Sequence, residues 1–423
     1  MKILKLEIDG YRSLKNQTWM PGDLNVVIGP NGSGKSNLLS VLEMLSQAAR
    51  GGLGKYVQRE GGMEPLLWDG RAERIRVRVK MSPVLPNRDE MRDALTYGLS
   101  LERLGKSSSH RIGSEVLGKF YDVEQGLADQ PFKLLERDPR HAVIYSFEER
   151  RFVTPQSSTT TTTTPPPKVS QQERPSIVAP ADSVPEEEPL LAAVGGPFAP
   201  NRVAADFREE LASWAVYQGF HTHREATIRQ AAVARAETRV QPDGQNLISV
   251  LHTLYTGNRE FKEELNTAMR AAFSDDFEEL VFPPAADQRI QLRVRWKSLQ
   301  REQSAADLSD GTLRFLFLLT VFANPTPPSL IAIDEPETGL HPSMLSIVAE
   351  YARDAAQRTQ VILTTHSPEL LDAFGNDPPT TTVVEWKKGE TTLRVLAGDR
   401  LDYWLKKYTM GELYRSRELE TMQ

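Results

Sequence analysis

Residues 25–36 read NVVIGPNGSGKS, and the rest of the chain is organised around this stretch. From Gly29 to Ser36 it matches the pattern G-x-x-x-x-G-K-[ST] without a gap, after a short apolar run and before leucines at helical spacing. Glycine permits backbone conformations and close approaches that a Cβ would block, so successive N–H groups can surround a phosphate. The stretch therefore predicts a nucleotide-binding loop between a strand and a helix, rather than a chance glycine-rich turn.

Each polar side chain of this loop has an expected task. Lys35 is expected to reach the β- and γ-phosphates of ATP, and the hydroxyl of Ser36 is expected to bind the Mg²⁺ that bridges them. The helix that starts here adds the positive end of its dipole. The nucleotide-binding residues predicted in this region are Gly29, Asn31, Gly32, Ser33, Gly34, Lys35, Ser36 and Asn37.

The composition excludes several classes of site. The 423-residue chain is long enough for about two or three domains, and its net charge of -6 gives no global basic excess, although a local basic groove is compatible with it. The absence of cysteine excludes disulfides, thiolate metal sites and cysteine nucleophiles. The first residues do not resemble a signal peptide, and no apolar run reaches the roughly 20 residues of a membrane span. We therefore expect a cytoplasmic protein without a membrane partner.

Four successive parts are predicted along the chain. Residues 1–153 carry the loop and an antiparallel sheet. Residues 154–200 include six consecutive threonines and then three prolines, a composition that cannot bury enough surface to order itself, so we predict a disordered insertion. Residues 201–300 are predicted to form a helical lobe with a returning strand, and residues 301–423 hold the remaining motifs. The strand patterns of the first part lie at residues 73–80, 97–104, 111–120 and 142–147.

Two predicted strands, residues 73–80 and 289–297, alternate apolar residues with arginine or lysine. Such a row of cations is either a solvated sheet face or a surface that follows the phosphates of a nucleic acid. The solvated interpretation is the commoner one, and both remain open at this point.

Downstream apolar runs end in the residues that a nucleotide-hydrolysing loop needs as partners. Residues 330–336 read LIAIDEP, a strand pattern that ends in Asp334, expected to hold Mg²⁺, and Glu335, expected to orient or deprotonate a water molecule. Residues 361–367 read VILTTHS and end in His366, which is either a core histidine or a switch beside the phosphates. Its position after the strand that follows the acidic pair favours the switch.

A third motif lies between these two, before an apolar helix pattern. Residues 308–312 read LSDGT. Ser309 and Gly311 offer a hydroxyl and an unhindered N–H at a predicted helix start, where an anion is favoured.

With these motifs the chain resembles the ABC-type ATPase heads of the SMC/RecF-like branch, and in particular stand-alone ATPases related to the overcoming-lysogenization-defect (OLD) proteins. The resemblance covers nearly all of the chain except residues 154–200, and includes the YRS of residues 11–13 and the DGQNL of residues 243–247. It implies an α/β fold: a P-loop NTPase of ABC-ATPase head type, with a mixed central sheet, an antiparallel β subdomain and an inserted helical lobe.

The resemblance also implies a shared active site. Two heads would dimerise head to tail around two ATP molecules, so that Ser309 and Gly311 of one copy cap the γ-phosphate bound by Lys35 of the other. His366 would contact the γ-phosphate, and Arg12 would approach the nucleotide.

The chain departs from transporter-type heads of this class. Asp310 stands where those carry glycine, and the TGLHP of residues 338–342 replaces their Ser-Ala-Leu-Asp loop. The glutamine that senses Mg²⁺ in such heads has no convincing position, because Gln125, Gln130 and Gln156 are all in range and none has a suitable setting. No long heptad region predicts a coiled-coil arm. The segment after His366 is too short for the C-terminal Toprim nuclease of full OLD proteins.

Three functions are compatible with these patterns. The first is an ATP-hydrolysing switch, a homodimer or higher assembly, that regulates a separate effector such as a nuclease or toxin in antiviral defence. The alternative is a RecF-like DNA clamp that uses the arginine-bearing strands. A scaffold that binds ATP without hydrolysing it is disfavoured, since every catalytic acid is present.

Overall fold

The computed structural model describes residues 1–83, 94–105, 108–119, 132–153, 184–196, 199–375, 377–396 and 403–421. Its contacts divide the chain into two compact units. The first comprises residues 1, 3–18 and 44–212, and the second comprises residues 2, 19–43 and 213–423. Both units collect segments that are distant in sequence, and the loop of residues 29–36 falls in the second.

The first unit contains an eight-stranded antiparallel sheet with the strand order β2-β1-β4-β5-β6-β7-β8-β9. In β4 the apolar side chains of Ile75, Val77 and Val79 are buried while the arginines between them are exposed, as the alternation predicts. The bounds are β1 Ile3–Tyr11, β2 Leu14–Trp19, β4 Arg74–Met81, β5 Leu95–Arg103, β6 His110–Lys119, β7 Phe132–Arg137, β8 Ala142–Ser146 and β9 Arg151–Val153. The strands predicted at residues 73–80, 97–104, 111–120 and 142–147 are present as β4, β5, β6 and β8, which confirms the predicted antiparallel sheet.

Four helices contribute residues to the first unit, and the first of them begins in the second unit. They are α1 Lys35–Ala49, α2 Leu53–Arg59, α3 Leu190–Ala193 and α4 Arg202–Ser213. Helix α1 starts at the loop lysine and ends before the glycine pair at residues 51–52. Helix α4 buries Phe207 and Leu211 on one face.

The prediction of disorder over residues 154–200 is wrong for residues 184–196, while residues 154–183 lie outside the described residues. Leu190 and Leu191 are fully buried, and their N–H groups donate to the carboxylate of Glu115 on β6, at 2.6 and 2.8 Å. Arg137 on β7 donates to the carbonyl oxygen of Pro185 at 2.9 Å. A composition averaged over 47 residues of sequence, from Thr154 to Pro200, hides this short apolar group and its buried partners.

The second unit is built on a six-stranded mixed sheet with the order β10-β17-β18-β3-β19-β20. Five of these strands run parallel, and β20 pairs antiparallel with β19 at one edge. Strands buried on both faces read as continuous apolar runs, which explains the patterns before the loop and before the acidic pair. The bounds are β3 Leu24–Ile28, β10 Ala215–Tyr217, β17 Leu330–Asp334, β18 Gln360–Thr365, β19 Thr380–Lys387 and β20 Glu390–Val395.

Helices and two small sheets complete the second unit. The helices are α5 Leu247–Gly257, α6 Arg259–Phe273, α7 Asp310–Phe322, α8 Pro342–Ala356, α9 Pro368–Ala373, α10 Met410–Arg415 and α11 Glu418–Thr421. The three-stranded sheets have the orders β11-β14-β13 and β12-β15-β16. Their strands are β11 Ala232–Val233, β12 Phe277–Val281, β13 Pro284–Ala285, β14 Arg289–Ile290, β15 Arg293–Trp296 and β16 Gln303–Ser304. The strand predicted over residues 289–297 is thus interrupted, because β14 and β15 pair in different sheets.

One apolar core holds the second unit together. Helix α7 is buried nearly all round, with Leu313, Phe315, Leu316 and Leu319 at 0% exposure, and packs with apolar residues of β3, β17 and β18. No helix within the described ranges is long and apolar enough to cross a membrane.

Candidate nucleotide-hydrolysis site

The loop between β3 and α1 has a backbone that requires its glycines. Gly32 and Gly34 have φ angles of 79° and 104°, in the region that residues with a Cβ rarely adopt. A Cβ at Gly29 would lie 2.3 Å from the carbonyl oxygen of Val384 on β19. The loop is therefore shaped by close backbone approach, as a phosphate-binding loop has to be.

Two side chains inside the loop are buried polar groups. Lys35 is only 5% exposed, and its Nζ donates to the carbonyl oxygens of Gly29 at 2.7 Å and Pro30 at 3.2 Å. Burial lowers the pKa of Lys35, and the carboxylates of Glu335, Asp334 and Glu337 oppose that shift. The hydroxyl of Ser33 is buried with no hydrogen-bond partner among the described residues. A charged amine and an unused hydroxyl in one loop fit a phosphate group.

The parallel register brings the acidic pair to this loop. Asp334, at the end of β17, lies opposite Thr364 of β18, and Thr365 lies opposite Ile28 of β3. The carboxyl ends of parallel strands share one edge of a sheet, so residues far apart in sequence meet there. Ser36 Oγ donates to Asp334 Oδ2 at 2.9 Å, and Thr364 Oγ1 donates to Asp334 Oδ1.

The hydroxyl of Ser36 and the carboxylate of Asp334 are oxygen ligands of the kind that Mg²⁺ prefers. Within the described residues, no group of three or more histidine, cysteine or acidic side chains could hold a metal ion. One hydroxyl and one carboxylate fit a Mg²⁺ ion that takes its remaining ligands from phosphate and water, which is the usual arrangement beside a nucleotide.

Glu335 and His366 form the next pair at this edge. Glu335 has a φ of 46°, and its N–H donates to the carbonyl oxygen of Thr364 at 3.2 Å and to its hydroxyl at 3.1 Å. Its carboxylate Oε1 lies 3.0 Å from Nδ1 of His366. Both side chains remain partly exposed, at 35% and 45%. A carboxylate oriented by an imidazole, open to solvent, can accept a proton from a water molecule.

Glu337 is a site residue that residue patterns alone did not assign a role. Its side chain is 8% exposed, and burial raises its pKa. Its Oε1 accepts a hydrogen bond from Thr365 Oγ1 at 2.5 Å and from His366 N–H at 3.4 Å. Glu337 thus fixes the backbone that carries His366.

Arg314 was also missed. It lies on α7, and its Nη2 donates to the carbonyl oxygen of Glu335 at 2.6 Å. Burial lowers the pKa of Arg314, and the nearby carboxylates of Glu337, Glu335 and Asp334 oppose that shift. It links the helix that follows the LSDGT motif to the main chain of the acidic pair. No spacing rule in the sequence indicates this contact.

A glutamine lies beside the loop, but it is not one of the three considered from the sequence. Gln125, Gln130 and Gln156 lie outside the described residues. Gln218 directly follows β10, the neighbour of β17, and its Oε1 accepts a hydrogen bond from Ser40 Oγ at 3.2 Å, one turn after Ser36. Its amide nitrogen is buried without a partner in the described part of the chain. The signal in the sequence is the apolar run Trp214–Tyr217 that ends in Gln-Gly.

The remaining predicted residues lie at the start of α7, on the loop, on α1 and in the first unit. Ser309 precedes α7 and caps it, accepting a hydrogen bond from Thr312 N–H at 3.0 Å. Gly311 lies in its first turn, and a Cβ there would lie 2.6 Å from the carbonyl oxygen of Gly339. Asn31 is exposed on the loop and Asn37 lies on α1. Arg12 belongs to the first unit, where it pairs with Glu60.

Several arginines of the two rows form ion pairs across their sheets. In the first unit Arg76 pairs with Asp9 and Arg78 with Glu7, each at 3.1 Å. In the second unit Arg295 pairs with Glu302 at 2.7 Å and also with Glu279. These cross-strand pairs favour the solvated interpretation of both rows over a nucleic-acid surface.

Residues 24–372, well over half of the chain, match the family model described as "AAA domain, putative AbiEii toxin, Type IV TA system". The chain belongs to this AAA family. Comparison with curated proteins gives no match.

Solved structures share the fold of this AAA family member. An Smc head bound to the C-winged helix domain of ScpA is 14% identical, with a TM-score of 0.54, and the match covers 95% of this chain and 100% of that chain. An Smc head domain with an extended coiled coil, bound to the C-terminal domain of ScpA derived from Pyrococcus furiosus, is 14% identical, with a TM-score of 0.53 and coverage of 96% and 98%. The fold is that of an ABC-type ATPase head of the SMC/RecF-like branch, as predicted.

Proposed function

We propose that this chain binds ATP with Mg²⁺ and hydrolyses it as a homodimeric switch that controls a separate effector protein. One observation carries the proposal. The loop, the adjacent residues Asp334 and Glu335, and His366 come from three separate segments that meet at one edge of one sheet, with the hydrogen bonds Ser36 to Asp334 and His366 to Glu335.

Each residue has a part in the reaction. Lys35 would exchange its bonds with Gly29 and Pro30 for bonds with phosphate oxygens. Glu335 would take the proton of the attacking water, with His366 holding its carboxylate in place. Mg²⁺, held by Ser36 and Asp334, would offset the negative charge that develops on the phosphate oxygens. We add Gln218 to this site, because its Oε1 accepts a hydrogen bond from Ser40 on the loop helix and its buried amide nitrogen has no partner among the described residues.

The second half of the proposal is a site shared by two copies. Ser309 and Gly311 lie at the start of α7, where a hydroxyl and N–H groups favour an anion. In a head-to-tail dimer they would contact the γ-phosphate bound to Lys35 of the other copy, while Arg12 approaches the nucleotide. Closure of the dimer would then depend on ATP binding, and its opening would depend on ATP hydrolysis.

The defence role has its support in the family. Its description names a putative toxin and a Type IV TA system, and in two solved structures a head of this fold is bound to a domain of another protein. We propose that the effector is a nuclease or toxin controlled by the ATP-dependent closure, in antiviral defence. Purification of the tagged protein from its native cells, with ATP and with ADP, should recover an effector in a nucleotide-dependent amount. Equal recovery in both conditions would contradict the switch.

Hydrolysis is tested by phosphate release from Mg-ATP. Glu335→Gln should lower kcat by about 100-fold or more because it removes the proton acceptor, and ATP binding should persist. Lys35→Ala should lose ATP binding. Glu350→Gln, an exposed glutamate on α8, is the matched control and should behave as the wild type. Undiminished hydrolysis in Glu335→Gln would refute this assignment.

A further inference from the structure

The segment that leads into α7 is organised around a single guanidinium group, that of Arg229. Its Nη1 donates to the carbonyl oxygens of Leu308 at 2.7 Å and Ala305 at 3.1 Å, and its Nε donates to that of Thr222 at 2.7 Å. Its Nη2 donates to the carboxylate of Asp310. The side chain is only 8% exposed, so these bonds are shielded from water.

Asp310 makes this arrangement relevant to a shared site. It is the first residue of α7, between Ser309 and Gly311, and its side chain is 66% exposed. An exposed carboxylate at this position would repel a phosphate that approaches the same helix start. Arg229 places a positive charge directly against that carboxylate, so the pair presents little net charge.

We propose that Arg229 is a positioning residue of the shared site: it fixes the loop of residues 305–309 and neutralises Asp310, so that Ser309 and Gly311 can accept the γ-phosphate bound to a second copy. This inference rests on the proposed function. It assigns a role to a residue outside every motif of the sequence, and explains how a carboxylate is tolerated where a phosphate is expected to arrive.

The hydrogen bonds of Arg229 to main-chain carbonyl oxygens and its ion pair with Asp310 predict different effects of mutation. If Arg229 only braces the loop, its replacement would lower stability and nothing done to Asp310 would restore activity. If it neutralises Asp310, removal of that charge in the same molecule should restore much of the loss. A double-mutant comparison therefore distinguishes the two.

The experiment compares Arg229→Gln, Asp310→Asn and the double variant with the wild type. The measurements are kcat for ATP hydrolysis over a series of protein concentrations, and the Kd of ADP, which reports on the copy's own loop. We expect Arg229→Gln to lower kcat about tenfold, and the double variant to recover to within about threefold of wild type. ADP binding should change by less than about threefold in all variants.

Arg353→Gln is the matched control. Arg353 also donates to a main-chain carbonyl, that of Phe374 at 2.7 Å, and pairs with an aspartate, Asp377, at 3.5 Å. Replacing Arg353 removes a hydrogen bond and an ion pair of the same kinds, but at a place remote from the first turn of α7. The substitution should therefore leave kcat unchanged.

Asp310→Asn alone keeps the test decisive if Arg229→Gln does not fold. It leaves the guanidinium without its carboxylate, so ATP-dependent self-association should strengthen by about threefold. Weaker association in Asp310→Asn, wild-type kcat in Arg229→Gln, or no recovery in the double variant would each overturn the inference. Specific activity of the wild type that does not rise with protein concentration would instead refute the shared site itself, and the inference with it.

Discussion

Glu337 shows how much of this site depends on residues beside the expected catalytic groups. Its carboxylate accepts hydrogen bonds from Thr365 Oγ1 and His366 N–H through one oxygen, while the other is buried without a partner in the described residues. Glutamine could reproduce the acceptor and place its amide where the unpartnered oxygen lies. The neutral form is thus compatible with the site, in agreement with the pKa that burial raises.

We therefore expect Glu337→Gln to retain hydrolysis within about tenfold, and Glu337→Ala to lose more because Thr365 and His366 N–H would lose their acceptor. The alanine variant should also be less stable by about 1–3 kcal/mol. Phosphate release and urea unfolding of both variants check this. If glutamine costs as much activity as alanine, the site uses the charge of Glu337 rather than its hydrogen bonds.

At the scale of the element, the start of α7 is packed against the loop that follows the acidic pair. A Cβ at Gly311 would lie 2.6 Å from the carbonyl oxygen of Gly339, a backbone atom that cannot rotate away. Either α7 or the loop must then move, and with it the cap that Ser309 forms with Thr312. The glycine is required by this approach, and not by its backbone angles.

Gly311→Ala should therefore lower stability by about 1–3 kcal/mol and reduce the concentration-dependent part of hydrolysis. Gly257→Ala is the control, because a Cβ at this last residue of α5 meets nothing within 4 Å. It should be neutral, or stabilising by up to about 1 kcal/mol. Equal effects of the two substitutions on urea unfolding would show that the approach to Gly339 is relaxed in solution.

Another element-scale contact, between β6 and the segment at α3, predicts a dependence on pH. Burial raises the pKa of Glu115 above its ordinary value of 4.5. A raised pKa in the folded state means that this group's contribution to stability is full below the ordinary value and is lost as the pH rises through the raised value. Between the ordinary and the raised pKa of Glu115, the free energy of unfolding of the wild type should therefore fall relative to that of a variant that cannot titrate at this position.

Urea unfolding from about pH 4 to pH 8 checks this with Glu115→Gln. The free energy of unfolding of the wild type minus that of the variant should fall as the pH rises. Glu73→Gln replaces an exposed glutamate of the same unit and serves as the control. A constant difference between wild type and Glu115→Gln across this range would contradict the expected direction.

Elements of strong periodicity could be predicted from the sequence, and contacts set by tertiary register could not. The alternation of β4 and the apolar runs before Gly29 and Asp334 specify their strands locally. Arg314 and Glu337 acquire their positions only when α7 and β18 reach the edge of β17, which no local spacing encodes. Gln218 was missed because β10 is three residues long, so its pattern was too short to separate from the preceding helix.

At the scale of the whole molecule, the central proposal is that each active site needs two copies of the chain. Ser309→Arg places a bulky cation at the helix start that would face the other copy, and leaves the copy's own loop unchanged. ATP binding should be retained, while the rise of specific activity with protein concentration should disappear. Sedimentation with Glu335→Gln and ATP would show whether dimers are lost. Wild-type activity in Ser309→Arg would refute the shared site.

The two hydrogen bonds that the Asp334 carboxylate accepts also affect the entropy of cation binding. Thr364 immobilises one oxygen and Ser36 the other, so the side chain is already confined to one rotamer before any ligand arrives. A flexible carboxylate would lose rotational entropy on coordination, and here that loss has been incurred during folding. Coordination of Mg²⁺ then requires only that the Ser36 hydroxyl stop donating its hydrogen bond to Asp334. Thr364→Val should consequently raise the Mg²⁺ concentration needed for half-maximal ATP hydrolysis, although it changes no direct ligand.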